Sequence, residues 1–192
     1  MRKIETAASG RGASRARPLA GYIGGKWFLR RTICPVIDAD RHRCYVEPFL
    51  GMGNVFLGRT RRPAIEVIND KSDQVATLFR VVQRHPDELV RALRHQLSTR
   101  SDYARLLKVD PSTLTDIERA ARFLVLRRLT FANMDPYPAG FAFCRVSPHL
   151  LDAAELARRI ASLHARLNRV VIEQLDFDRV LSGYNTPNTF FT

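Results

Sequence analysis

Along the chain, short unbroken apolar runs alternate with segments whose apolar residues return every three or four positions. Cys44-Tyr45-Val46-Glu47-Pro48-Phe49 reads as a short buried strand running into the loop Leu50-Gly51-Met52-Gly53-Asn54. Ala64-Ile65-Glu66-Val67-Ile68-Asn69 predicts a second strand that ends on Asp70. Val75, Leu78, Phe79 and Val82 then recur at i, i+3, i+4 and i+7, the stripe of an amphipathic helix. Upstream, residues 21–37 predict a tight glycine turn followed by a helix with Trp27, Phe28, Ile33 and Val36 as its apolar members. Strand, glycine loop, helix, strand, acid, helix is the order of a nucleotide-binding α/β unit.

From Pro86 to Asn168 the helical period dominates. Leu89, Leu93 and Leu97 begin it, and no convincing strand separates them from the next helix. Thr115-x-x-Glu118 is a capping-box pattern opening a helix to about Leu129. Asp152-x-x-Glu155 opens another, with Leu156, Ile160, Leu163 and Leu167 on one face. Between them, residues 131–148 are too rich in Pro, Gly and aromatics for a helix and predict a loop or hairpin. Val170–Glu173 resumes a strand, a helical turn follows at 177–182, and Thr189–Thr192 predicts another strand.

The formal net charge is +12, carried mostly by arginine, whose planar fork suits phosphate and base edges. A polyanion, nucleic acid first, is the expected partner, although arginine also accumulates on solvated helix faces. Residues 1–17 read as a flexible basic arm, since no apolar signal core follows them. Cys34, Cys44 and Cys144 stand too far apart for a disulfide framework or a paired metal-ligand spacing, so the expectation is a reducing, cytoplasmic setting without a metal. No apolar stretch approaches the roughly 20 residues of a membrane-spanning helix, and none is expected.

Gly51-x-Gly53 lets backbone N–H groups approach a ligand where side chains would collide. Asp70, at the end of the next strand, stands near the offset of about 20 residues at which an acid takes ribose hydroxyls. A helix cap is the other reading of Asp70.

Residues 21–29 (GYIGGKWFL), 45–57 (YVEPFLGMGNVFL) and 66–83 (EVINDKSDQVATLFRVVQ), in this order, resemble the successive N-terminal motifs of the Dam-like DNA adenine-N6 methyltransferases. Residues 171–181 (VIEQLDFDRVL) and 183–191 (GYNTPNTFF) are similar to that family's approach to its catalytic motif. The resemblance implies an incomplete Rossmann-like α/β methyltransferase fold, residues 18–78 and 165–192, with a helical target-recognition insertion at 79–164. It implies S-adenosyl-L-methionine as cofactor and double-stranded DNA as partner. Tyr22 and Lys26 would lie beside the cofactor, with Lys26 on its carboxylate. Phe49, Gly51 and Gly53 would line the methionine portion, and Asp70 would hold the ribose. Asp176 and Phe177 would read the adenine, one accepting from its amine and the other packing on the ring; a strand-end cap and a core aromatic are their alternatives. Arg91, Arg94, Arg100, Arg127, Arg128 and Arg145 are the insertion's candidate DNA contacts. The family often has a basic residue before the aromatic at Tyr22, where this chain has Gly21, so no contact is carried over there.

The family's Asp-Pro-Pro-Tyr motif, which positions the target amine, does not occur in the sequence. Asp135-Pro136-Tyr137-Pro138 has similar residues but lacks the doubled proline and precedes the adenine-reading segment, so it reads as a loop turn. The expectation is therefore a C-terminally truncated methyltransferase, inactive alone, with a second polypeptide as one source of the missing strands. A non-catalytic DNA-binding remnant and an RNA methyltransferase are the rival readings.

Overall fold

Parallel pairing organises the chain. A computed structural model describes residues 16–96, 98–130 and 151–192. Strands β1 (Cys44–Glu47), β2 (Ile65–Asn69), β3 (Val170–Glu173) and β4 (Thr189–Phe191) form one parallel sheet in the order β3-β2-β1-β4. The chain steps outward from β1 to β3 and then returns to lay β4 on the other side of β1. The order therefore reverses between β1 and β4, the place where open α/β sheets bind ligands outside their strands' carboxyl ends. The architecture is α/β and Rossmann-like.

The helices are α1 (Arg30–Ala39), α2 (Asp73–Arg84), α3 (Pro86–Leu93), α4 (Arg100–Lys108), α5 (Asp116–Leu129), α6 (Ala153–Leu167) and α7 (Phe177–Tyr184). Strand alternation divides the sheet's side chains between two faces. Tyr45, Ile68 and Val170 meet a large core supplied by α1 to α6, including Ile37, Leu78, Phe79, Leu89, Leu124, Leu156 and Ile160. Cys44, Val46 and Val67 on the opposite face are covered by Val180 of α7. α2 crosses position 79 without a break, and α3, α5 and α6 share its core, so the helical region is continuous with the sheet's packing.

Several helix ends are built as their sequences predict. At α5 the Glu118 N–H donates to Thr115 Oγ1 at 3.3 Å while Glu118 Oε2 accepts the Thr115 N–H at 2.9 Å, a complete capping box. At α6 Asp152 accepts the Glu155 N–H at 2.9 Å.

Two expectations are corrected. Residues between the first glycines and Leu29 are turns, and α1 begins only at Arg30, with Ile33, Cys34 and Ile37 turned inward. Phe28, 87 % exposed, and Val36, 65 % exposed, therefore face solvent rather than the core. Counting helical phase through the turn places these residues on the wrong face, because Gly24, at φ +71°, bends the backbone out of any helix. Between β1 and β2 there is no helix either. Residues 51–58 form successive turns, and Met52, Val55, Phe56 and Leu57 are buried under them. Leu97, Cys144, Arg145, the basic arm before residue 16, the segment 131–148 and the Asp135–Pro138 turn lie outside the described residues.

At the amino-terminal part of β2, buried Glu66 receives both guanidinium nitrogens of Arg166 at 2.7 Å and a further bond from Arg59. The Arg59 guanidinium lies 3.3 Å from the Tyr45 ring centroid and that of Arg166 lies 3.8 Å from Phe56's. A buried ion cluster of this kind adds little over apolar packing while complete, but removing one partner strands charge in the core. Glu66→Leu is expected to lower unfolding free energy by about 3–5 kcal/mol, and the triple change with Arg59→Met and Arg166→Leu to recover most of it. Urea unfolding of the three proteins measures both.

Candidate functional site

The carboxyl ends of β1, β2 and β3 are tied together by two consecutive residues of β2 and its following turn. Asn69 Nδ2 donates to the carbonyls of Pro48 at 2.9 Å and Leu175 at 3.1 Å, while its Oδ1 accepts the Leu175 N–H at 2.8 Å. Asp70 accepts the Gly51 N–H on Oδ2 at 2.8 Å and the Ser72 N–H on Oδ1 at 2.9 Å. Asp70 thus braces the turn before α2 and the glycine loop at once, and each oxygen keeps a lone pair for a further donor.

Gly51 and Gly53 adopt φ +52° and +71°, backbone that an L side chain adopts only at a cost. A Cβ on Gly51 would also stand 3.0 Å from Cδ1 of Tyr22. The loop therefore closes against the Tyr22 ring, and a cavity of about 260 Å³ opens beside it. Its lining includes Tyr22, Lys26, Glu47, Phe49, Gly51, Met52, Asn54 and Asp70.

Five of the eight residues picked from sequence thus line one cavity: Tyr22, Lys26, Phe49, Gly51 and Asp70. Gly53 is buried in the same loop. Asp176 and Phe177 stand at the margin. Phe177 is 44 % exposed, with its ring 5.6 Å from that of Phe49, itself 60 % exposed. Asp176 precedes α7 without capping it and pairs with Lys71 at 2.6 Å, next to Asp70. The cap and core-aromatic alternatives for this pair do not describe where the two side chains stand.

Sequence reading passed over Glu47. It is 3 % exposed at the end of β1, accepts a hydrogen bond from Tyr45 Oη at 2.7 Å, and shares the cavity with Lys26. Burial pushes its carboxyl up to about 7, although the Tyr45 hydroxyl, Lys26, Arg59 and the Phe56 N–H all favour the ionised form. The signal available in sequence was an acid inside the apolar run Cys44-Tyr45-Val46-Glu47.

A larger cavity of about 620 Å³ adjoins the first. It shares Tyr22, Gly25 and Asn54 with it, and is lined further by Arg17, Trp27, Phe28, Arg128 and Arg159. A family profile described as D12 class N6 adenine-specific DNA methyltransferase matches residues 22–191. The chain belongs to this family.

Individual relatives agree. The chain is 27 % identical over 127 residues to a Type II methyltransferase of Lactococcus lactis subsp. cremoris, M1.LlaDCHI. It is 30 % identical over 129 residues to a DNA adenine methylase of Salmonella typhi, and 28 % identical over 130 residues to one of Serratia marcescens. The matched regions cover 62–63 % of this chain. They span only 43–45 % of those relatives, less than half their length.

The arginines of the helical region divide into two groups. Arg91, Arg94 and Arg100 are exposed. Arg127 is buried, its guanidinium 4.8 Å from the Tyr22 ring, and Arg128 donates to the Leu19 carbonyl at 3.0 Å and to Glu155 at 2.9 Å. Arg127 is thus packed inside the fold, while Arg128 braces the chain before Tyr22 and lines the larger cavity. Among the described residues no cluster of His, Cys, Asp or Glu is arranged to hold a metal, and no helix is long and apolar enough to cross a membrane.

Glu47 carries a pH signature. An acid whose pKa is higher in the folded chain than its ordinary 4.5 takes up a proton on folding, so its contribution falls as pH rises from 4.5 to about 7 and is constant above that. Glu47→Gln removes the titration. The stability of the variant relative to the parent should therefore rise across this window, by at most roughly 1.4 kcal/mol per pH unit, and then level off. Chemical unfolding of both proteins between pH 4.5 and 8 reads the difference; parallel curves would contradict it.

Proposed function

We propose that the smaller cavity binds S-adenosyl-L-methionine and that the chain serves N6 methylation of adenine in duplex DNA. The observation that carries the reading is the convergence of a cation, Lys26, a loop without side chains, Gly51, and a carboxylate, Asp70, on one cavity at the strands' carboxyl ends. Lys26 suits the cofactor's carboxylate. Gly51, whose missing side chain leaves room for the Tyr22 ring, lets that ring and the loop backbone together wall the cavity for the methionine chain. Asp70 has acceptor capacity left for ribose hydroxyls, and Asp176 with Phe177 offers an acceptor and a ring for the adenine. When bound, this cofactor supplies an electrophilic methyl group.

On this reading the region 79–164 belongs to DNA recognition and the surplus of basic residues to phosphate contact. A target adenine leaves the stack to reach the methyl group. The family's acceptor chemistry depends on Asp-Pro-Pro-Tyr, and the 192 residues contain no such motif. The role we assign to these residues is therefore binding: they hold the cofactor and the DNA and are silent in transfer by themselves.

Calorimetry with S-adenosylhomocysteine tests the cofactor site. Asp70→Ala should weaken binding at least tenfold, the scale of hydrogen bonds to a charged group, and Gly51→Val should abolish it; unchanged affinity in both would sink the assignment. For the DNA reading, log affinity for a duplex should fall against log salt with a slope of about −5 if six phosphates are neutralised. A flat response would remove the charge argument. Labelled-methyl transfer to DNA should stay at background, and turnover by this chain would refute the binding-only role.

A further inference from the structure

We propose that the turn from Ile23 to Leu29 is a DNA-contact surface, with the rings of Trp27 and Phe28 lying against nucleotides and Arg30 and Arg31 neutralising the neighbouring phosphates. The inference rests on the DNA reading above and adds to it the surface and its residues. Ile23, Trp27, Phe28 and Leu29 are 55 %, 42 %, 87 % and 58 % exposed. Isolated apolar side chains on a surface need no explanation, but a contiguous group does. The Phe28 ring belongs neither to the core nor to the lining of the smaller cavity.

Charge selects the partner. From Ala16 to Ile37 the chain carries Arg17, Lys26, Arg30 and Arg31 and no acidic residue. The first acid that follows, Asp38, is taken up by the Thr60 N–H at 2.8 Å, the Thr60 hydroxyl at 2.6 Å and the Arg61 N–H at 3.3 Å. Arg128 and Arg159, which line the larger cavity together with Arg17, share a single carboxylate, Glu155, so the cavity beside the turn is net positive as well. The Arg30 guanidinium sits 3.4 Å from the Trp27 ring centroid. Such a cation-and-ring surface matches a nucleotide, which offers a phosphate and flat apolar faces together. A protein partner's apolar patch would match the rings but meet the cations with nothing.

Position supports the same partner. Ile23, Gly24, Gly25 and Lys26 line the smaller cavity, while Gly25, Trp27 and Phe28 line the larger. The turn is thus a rim between them. A nucleotide leaving a duplex for the cofactor's neighbourhood passes over Phe28, and the strand it leaves lies along Arg30 and Arg31.

Trp27 is the chain's single tryptophan, so its emission reports on this surface alone. The test follows Trp27 emission and the anisotropy of a labelled duplex oligonucleotide during titration, for the full chain and for Phe28→Ala, Phe28→Leu and Arg31→Ala. Duplex binding should shift or quench Trp27 emission in parallel with anisotropy. Phe28→Ala should weaken binding about tenfold, in keeping with the loss of one stacked ring. Phe28→Leu should fall between, and Arg31→Ala should reduce the salt slope by about 1. Affinity for S-adenosylhomocysteine should not change in the Phe28 variants, whose side chain is in solvent. Duplex bound with unmoved Trp27 emission and undiminished affinity in both Phe28 variants would overturn the surface while leaving the DNA reading intact. No duplex binding by the parent chain at low salt would overturn both. Trp27 emission that varies with protein concentration in the absence of DNA, and stops varying in Phe28→Ala, would assign the surface to self-association instead and refute the proposal.

Discussion

Two consecutive side chains, Asn69 and Asp70, hold the ends of three parallel strands at one point, and the geometry of the site follows from that restraint. Parallel strands end in loops that have no ladder partners of their own. Asn69 supplies partners to two of these loops, taking the Pro48 and Leu175 carbonyls and the Leu175 N–H. Asp70 does the same for the glycine loop through the Gly51 N–H. With both strand-end segments anchored to β2, Phe49 comes to lie beside Phe177 and Lys71 beside Asp176.

The other end of β2 is held by different means. Glu66 is buried between Arg59, which closes the turns after the glycine loop, and Arg166, in the last turn of α6. One five-residue strand therefore fixes the glycine loop's exit through an ion cluster and its entry through amide and carboxylate bonds. The electrostatic setting is unusual as well, because a chain of net charge +12 keeps an acid, Glu47, buried beside its candidate ligand site. Nearby cations favour its ionised form and burial opposes it, and burial wins.

Much of this was legible from pattern. The strand boundaries, the stripe of α2 and the caps at Thr115 and Asp152 depend on local chemistry that neighbouring residues state completely. Five of eight site residues reached one cavity because a glycine loop after β1 and an acid after β2 are forced together by parallel pairing. The failures have an equally physical origin. Trp27, Phe28 and Val36 were assigned inward because helical periodicity was continued through a turn, and apolar character alone does not separate a core residue from an exposed contact. Asn69 is silent in the sequence because its partners lie far along the chain, Leu175 being 106 positions away, whereas Glu47 is marked only as an acid within an apolar run, and its burial is decided by the fold. The burial of Arg127 is equally invisible to local pattern, since only the fold brings Tyr22 beneath it.

That last contact joins the helical region to the glycine loop's surroundings. Arg127 of α5 lies over the Tyr22 ring, and the same ring stands where a side chain on Gly51 would have to go. Arg128, one position along, holds the Leu19 carbonyl, and Arg159 of α6 holds that of Pro18 at 3.2 Å. The segment leading into Tyr22 is thus suspended from two helices of the region 79–164, while Tyr22 itself walls both cavities. That wall stands against a glycine loop held at φ +52° and +71°. The helical region and the smaller cavity therefore share the Tyr22 ring as a common wall.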